Sequence, residues 1–444
     1  MRVITQPDML KTDDYLPACG GKGNDVWRLM TACMTGETRI AQKLLKENPT
    51  LVNCSWAYFT PLHLAVREGH TESVECLLQH GADATAIRGV SWQDTPLQKA
   101  NDRGYSHLTE LIERHIQQEA PSDSFSESLA GSSAEYNLFT ASAVGDDEYV
   151  GNLLSNDSSK VNTLDPSGRS ALFYASKNGH ESIVQALLQS GANPNLPEKD
   201  APGGASLHAS VSANHQTIVR MLLDQGADPN AEVEASGNAL YIAMRNGNQE
   251  LVEELCSAGG SISLTDACAL GRKDLVEEIL ALRPSEVNAG DFGPLTQAVS
   301  EGYIAIVHLL LKHGAELNAP WYTSNYMTYA MRFTEKEMVK MLLDKGADPN
   351  RSNWLGVSYL HIAAMLGKVD MAKLLLEYGA DLEATDDEYC TIPLGWAAKY
   401  GQEEMVSFLL NHGAKPSSTI IQDWAQPVAW AERKGYAAIL EKLK

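Results

Sequence analysis

Positive charge is in short supply in this chain of 444 residues, where 35 Lys and Arg stand against 57 Asp and Glu for a formal net charge of -22. A field of that sign repels nucleic acid and anionic lipid and favours basic partners, although acid on helix faces also serves solubility. Hydrophobic runs are short. No stretch approaches the roughly 18 apolar residues of a membrane helix, and the opening MRVITQPDMLKTDDYLP lacks the apolar centre of a secretion signal. Cysteine is sparse as well: seven are scattered without a CxxC pair or a dense disulfide framework, which points to the reducing cytoplasm. Catalytic signatures are missing, with no HExxH and no GxSxG, and the twelve histidines form no cluster at ligand spacing. CGGKGN, Cys19 to Asn24, fails as a phosphate loop because Gly23 follows the lysine and no apolar strand precedes it. The acidic runs Asp146-Asp147-Glu148 and Asp386-Asp387-Glu388 lack the alternate-position pattern of a calcium loop. The expectation is a protein that is not an enzyme and takes no cofactor or metal.

What is present is repetition. The stretch TPLHLAVREGHTESVECLLQHGAD, Thr60 to Asp83, reads as two short helices. Thr60 is a helix N-cap and Pro61 suits the first helical position, where a missing N–H costs nothing. Leu62, Ala65 and Val66 fall at i, i+3, i+4, and Gly69 stands where a left-handed turn ends the helix. Val74, Leu77 and Leu78 repeat the spacing before Gly81. Neither helix can bury its stripe alone. Closing Gly-Ala pairs recur at Gly191, Gly226, Gly314, Gly346, Gly379 and Gly413, with neighbouring copies about 32 to 35 residues apart, and the apolar triplet precedes each.

This pattern resembles the ankyrin repeat, TPLHxAxxxGHxxxVxxLLxxGADxN. The resemblance implies an all-α solenoid of about thirteen helix-turn-helix units with β-hairpin-like fingers, each unit touching only its neighbours. His63, His208 and His361 at the TPLH place, His70 and His180 after the mid-repeat glycine, and His80, His313 and His412 near the end then become turn-stabilising residues. Asn195, Asn230 and Asn350 of the GADPN-type endings should bridge backbone groups at the start of each finger.

Units beginning near Val26, Tyr136 and Leu264 have no finger in front and end in PTLVN, SSKVN and PSEVN instead of GADPN. Each is read as the opening of a block. The expected organisation is a partly disordered lead-in over 1–23, block 1 over 24–118, a Ser/Asp/Glu-rich linker or loop over 119–134, block 2 over 135–263, and block 3 over 264–444 with a polar C-terminal cap.

In this family ligands dock in the concave groove made by fingers and first helices, so departures from consensus there carry the functional information. Fingers that normally bear small or charged residues carry Trp56, Tyr58, Trp92, Trp321, Tyr322 and Trp354. Trp396 and Trp430 take the helix position of Leu64, as do Tyr174 and Tyr329, and the finger Asp386, Asp387, Glu388, Tyr389 adds acid. Trp56, Tyr58, Trp92, Trp321, Tyr322, Trp354, Asp386, Asp387, Tyr389 and Trp396 are therefore the expected partner-binding residues, suited to a basic peptide or protein face. Against this stands packing of the same rings on neighbouring units. The function read from the sequence is a protein-binding scaffold; the alternative is an acidic inhibitor or immunity protein that neutralises a basic toxin or enzyme.

Overall fold

In the computed structural model of the chain, the structure describes residues 6–16, 19–57, 59–87, 94–119, 136–199, 201, 203–233, 237–289, 293–318, 326–333, 336–417 and 421–444. Twenty-six α-helices among them pair into thirteen repeats, numbered here in chain order. Repeat 2 shows how the residues make the unit. Thr60 Oγ1 accepts from the His63 N–H, Pro61 opens the helix Pro61–Glu68, and Gly69 closes it at φ 78°, a conformation in which a β-carbon would be strained. The second helix, Thr71–Gln79, returns alongside, and Leu62, Ala65, Val66, Val74, Leu77 and Leu78 are all buried. Each Leu or Val so removed from water contributes roughly 1.5 to 3 kcal/mol, which the isolated helix pair could not collect.

Two recurring bridges tie repeats to their neighbours. His70, His180 and His215 reach back to the carbonyls of Met34, Ala143 and Lys177 at 3.1, 3.1 and 3.2 Å. The rings lie flat on the preceding mid-repeat glycine: a β-carbon on Gly179 would stand 2.7 Å from His215 Cε1. Asparagines form the second bridge. Asn195 Nδ2 donates to the Gly226 carbonyl at 2.8 Å while its Oδ1 accepts from the Asp228 N–H at 2.8 Å. Asn230 and Asn350 do the same for Gly259 with Ser261 and for Gly379 with Asp381. The bridge expected at the start of each finger thus links one repeat to the next.

The endings without Gly-Ala have a structural counterpart. Where no glycine turns the second helix, the chain leaves it through a non-helical residue, extended at Asn48 and Asp157 and irregular at Arg283, and enters a 3-10 turn at Pro49–Asn53, Ser158–Lys160 or Pro284–Asn288. Repeat 1 departs from expectation. A short hairpin, Tyr15–Leu16 with Gly21–Lys22, stands directly before its first helix, Gly23–Thr35, and Leu10 beneath it is fully buried. CGGKGN serves this packing, since a β-carbon on Gly23 would lie 2.7 Å from the Leu10 carbonyl oxygen.

Fingers are minimal hairpins, closed by single bridges at Trp56–Phe59, Leu164–Ser170, Glu198–Ala201 and Ser352–Ser358, or by the pair Glu232–Val233 with Gly237–Asn238. Two compact units result, one of Met1–Phe125 with Glu316–Lys444 and one of Ser126–Ala315. This grouping cuts across the blocks of the sequence: residues 264–315 lie in the second unit, while the remainder of block 3 shares the first unit with block 1.

Candidate docking surfaces

The residue two places before the mid-repeat turn marks the groove side of each first helix. In repeats 2, 3 and 11 to 13 of the first unit this position is held by Arg67, Asp102, Met365, Lys399 and Arg433. Arg67, Met365 and Lys399 are buried and Asp102 is half-buried, because repeats 2 and 3 face repeats 11 to 13 of the same unit, while Arg433 at the end of the row is exposed. Lys399 Nζ pairs with Asp102, and Lys434 Nζ reaches the same carboxylate at 3.5 Å.

Three side chains of repeats 2 and 3 hold the opposing fingers. The Arg67 guanidinium lies 5.7 Å from the Phe59 ring centre and 5.5 Å from that of Trp354. Trp354 itself packs on Trp56 at 5.4 Å and edge-on to Phe59 at 5.3 Å. Lys99 Nζ meets Glu388 Oε1 at 2.5 Å and Asp94 Oδ2 at 3.1 Å. Arg103 Nη2 donates to the carbonyls of Asp387 and Glu388 at 3.1 and 2.8 Å and stacks on Trp424 at 5.3 Å. Buried charges of this kind persist only when paired and hydrogen-bonded.

Asp386 organises the finger that enters this seam. Its carboxylate accepts from Trp396 Nε1–H at 2.9 Å and from the N–H groups of Tyr389 and Thr391 at 2.6 and 3.2 Å. Cys390, at φ 53°, completes the tight turn between them. Complete burial pushes the Asp386 carboxyl up to about 6 despite those donors. The Tyr389 ring then stands edge-on to Trp396 and Trp430 at 5.0 and 5.5 Å. Lys399 Nζ sits 4.4 Å from the ring centres of both Tyr389 and Trp430, and burial lowers its ammonium to about 8. A cleft of about 490 Å³ opens beside it, lined in part by Asn101, Asp102, Tyr400 and Tyr436.

The expected partner-binding residues divide accordingly. Trp56, Asp386, Tyr389 and Trp396 are buried, and Trp354 and Asp387 are half-buried, all in contacts within the first unit. Trp56, Asp386, Tyr389 and Trp396 turn inward onto neighbouring residues of the first unit, while Trp354 and Asp387 keep part of their surface exposed. Tyr58, Trp92, Trp321 and Tyr322 lie outside the described residues. Sequence reasoning passed over Phe59, Arg67, Lys99 and Arg103, the other half of the seam. One signal was available: Lys99 stands at the Leu64 position, where a charge needs a buried partner.

The second unit presents the same position differently. Lys177, Ser212 and Arg245 are exposed there, and Ala143, Ala269 and Ser300 are half-buried. Around them Phe173, Tyr174, His208 and Tyr241 remain half-buried, with the Arg169 guanidinium 4.9 Å from the Phe173 ring centre. Tyr174 Oη donates to Asp165 Oδ2 at 2.7 Å, which fixes the ring against its own finger. Among the described residues no group of His, Cys, Asp and Glu is placed to hold a metal ion, and no helix is long and apolar enough to cross a membrane.

Comparison with known proteins gives one consistent answer. Residues 29–122, 138–233, 198–266, 264–353 and 352–420 match the family described as ankyrin repeats (3 copies). The chain is 40% identical over 75 residues to the serine/threonine-protein kinase VIK of Arabidopsis thaliana, 17% of each protein. It is 31% identical over 136 residues to a transient receptor potential cation channel subfamily A member 1 homolog of Caenorhabditis elegans, 30% of this chain and 10% of that one. With the ankyrin repeat protein nuc-2 of Neurospora crassa it shares 30% identity over 175 residues, 38% of this chain and 15% of the relative. The chain thus spans less than a fifth of each relative's length.

Proposed function

Since the chain belongs to the ankyrin repeat family, we propose that it is a non-enzymatic protein-binding scaffold of the cytoplasm whose working surface is the groove of the middle repeats, in Ser126–Ala315. One observation carries this reading. The groove position is exposed at Lys177, Ser212 and Arg245, whereas its counterparts Arg67, Met365 and Lys399 in the other unit are buried within their own unit and only the last, Arg433, is exposed among those of repeats 2, 3 and 11 to 13. A partner meeting the middle repeats finds half-buried rings beside exposed cations on a rigid backbone, so little ordering entropy is lost on binding. Partly buried Tyr and exposed Arg are the residue types that carry interface energy.

The test is quantitative affinity capture from the native host with the wild-type chain and with Lys177→Ala/Tyr241→Ala/Arg245→Ala. These side chains lie outside the packed core, so helical content by circular dichroism should be unchanged. A partner captured by the wild type should be lost from the variant, with Tyr241 alone contributing about 2 kcal/mol, roughly thirty-fold in affinity. Identical capture by both chains refutes the assignment. Salt dependence separates the two functions read from the sequence: binding that collapses between low and physiological salt favours the acidic inhibitor of a basic protein.

A further inference from the structure

The groove of repeats 2 and 3 already holds an occupant, and the occupant's chemistry is specific. It consists of an indole, a carboxylate and two backbone carbonyls, contributed by two fingers joined through the Asp387 N–H and the Leu355 carbonyl at 2.7 Å. The Trp354 ring enters a slot walled by Trp56, Phe59 and the Arg67 guanidinium. The Glu388 carboxylate lies on Lys99 Nζ, and the carbonyls of Asp387 and Glu388 lie on Arg103 Nη2. These are the contacts of a receptor with a peptide: an aromatic anchor in a pocket, a charge-assisted pair beside it and main-chain hydrogen bonds between.

The groove also has recognition capacity that the occupant leaves unused. Arg67 commits Nε and Nη2 to Glu68 at 2.6 and 2.5 Å, while its buried Nη1 meets no acceptor among the described residues. A carboxylate next to the indole would satisfy that donor, and none stands there in the finger, where the neighbours of Trp354 are Asn353 and Leu355.

We propose that the groove of repeats 2 and 3 is a receptor for acidic, tryptophan-bearing segments of a partner protein, and that the fingers Ser352–Ser358 and Asp386–Thr391 are its resident occupant. An incoming segment displaces the fingers because it supplies the same indole and carboxylate and adds an acceptor for Arg67 Nη1. The inference is independent of the middle-repeat groove, and its partner has the opposite charge to the basic one that the net charge favours.

The experiment uses the full chain and a fluorescein-labelled peptide, Gly-Glu-Glu-Trp-Glu-Glu-Gly, read by fluorescence anisotropy. Trp354→Ala/Glu388→Gln takes the indole from its slot and the charge from Lys99, and should bind the peptide at least ten-fold tighter than the wild type does. Adding Lys99→Glu and Arg103→Glu should abolish binding, and peptides with Lys in place of Glu, or Ala in place of Trp, should not bind. Glu388→Gln alone, which keeps the ring contacts and so the packing, should bind about three-fold tighter than the wild type. A second copy of the chain is a competitor for this groove, donating its own fingers to it: a dimer of Glu388→Gln by light scattering that the peptide dissolves supports the proposal, and a dimer that the peptide leaves intact overturns it. Binding by either variant no tighter than to the lysine peptide also overturns it.

Discussion

Lys99 occupies in repeat 3 the place of Leu64 in repeat 2, and a buried ammonium there is tolerable only because Glu388 and Asp94 meet it. Removing Glu388 leaves the buried ammonium with Asp94 alone. Glu388→Leu should therefore cost about 3 kcal/mol, and Lys99→Leu in the same chain should restore much of it. Chemical denaturation of both variants measures this, and a double variant no more stable than the single one would show that the two residues are not coupled. Asp386 gives a second residue-scale expectation. Its carboxyl is raised to about 6 in the fold from an ordinary 3.8, so between those values the native state keeps a proton that the unfolded chain has released. That contribution is complete below pH 4 and is lost as pH rises through 6. The gap in thermal midpoint between wild type and Asp386→Asn should accordingly shift in favour of the variant from pH 4 to pH 7; a gap that stays constant across that range contradicts the assignment.

At the scale of the element, the repeat is held to its neighbour as much by hydrogen bonds as by its apolar stripe. Asn230→Ala removes the bonds to Gly259 O and from Ser261 N–H and should cost about 1 to 2 kcal/mol, with faster hydrogen exchange confined to the Ser261 amide and the adjoining turn. Uniform acceleration across all repeats would deny that the bond is local. Elements were the most legible level of this chain. Thr60, Gly69 and the triplet Val74, Leu77, Leu78 specify the helix pair by themselves, and the recurring asparagine announces a bridge although not that it crosses to the next unit. The hairpin before Gly23 was less visible, because Tyr15, Leu16, Gly21 and Lys22 show neither alternation nor β-branched residues.

On the scale of the whole molecule, the seam escaped the sequence for a physical reason. Periodicity reports contacts between neighbouring repeats, whereas Lys99 and Glu388 are 289 positions apart and Lys399 and Asp102 are 297. No local pattern distinguishes an aromatic finger that awaits a partner from one already engaged by distant repeats. Trp354, Tyr389 and Trp396 were found by their departure from consensus, and the same departure suits them to packing inside the first unit. A repeat array with nearest-neighbour contacts alone unfolds piecemeal; the seam adds long-range coupling to repeats 2, 3 and 11 to 13. Groove side chains of repeats 2, 3, 11 and 12 are engaged within the first unit, whereas Lys177, Ser212 and Arg245 of the second are exposed. Acetylation of lysines in the native chain with a succinimidyl ester, followed by mass spectrometry, tests this contrast most directly. Lys177 should modify at the rate of an exposed amine, while Lys99 and Lys399 should lag by roughly ten-fold or more, because each must first be uncovered by local opening. Lys399 is the sharper probe, since its lowered pKa would speed the reaction if burial did not block it. Equal rates at Lys99, Lys177 and Lys399 would contradict the account.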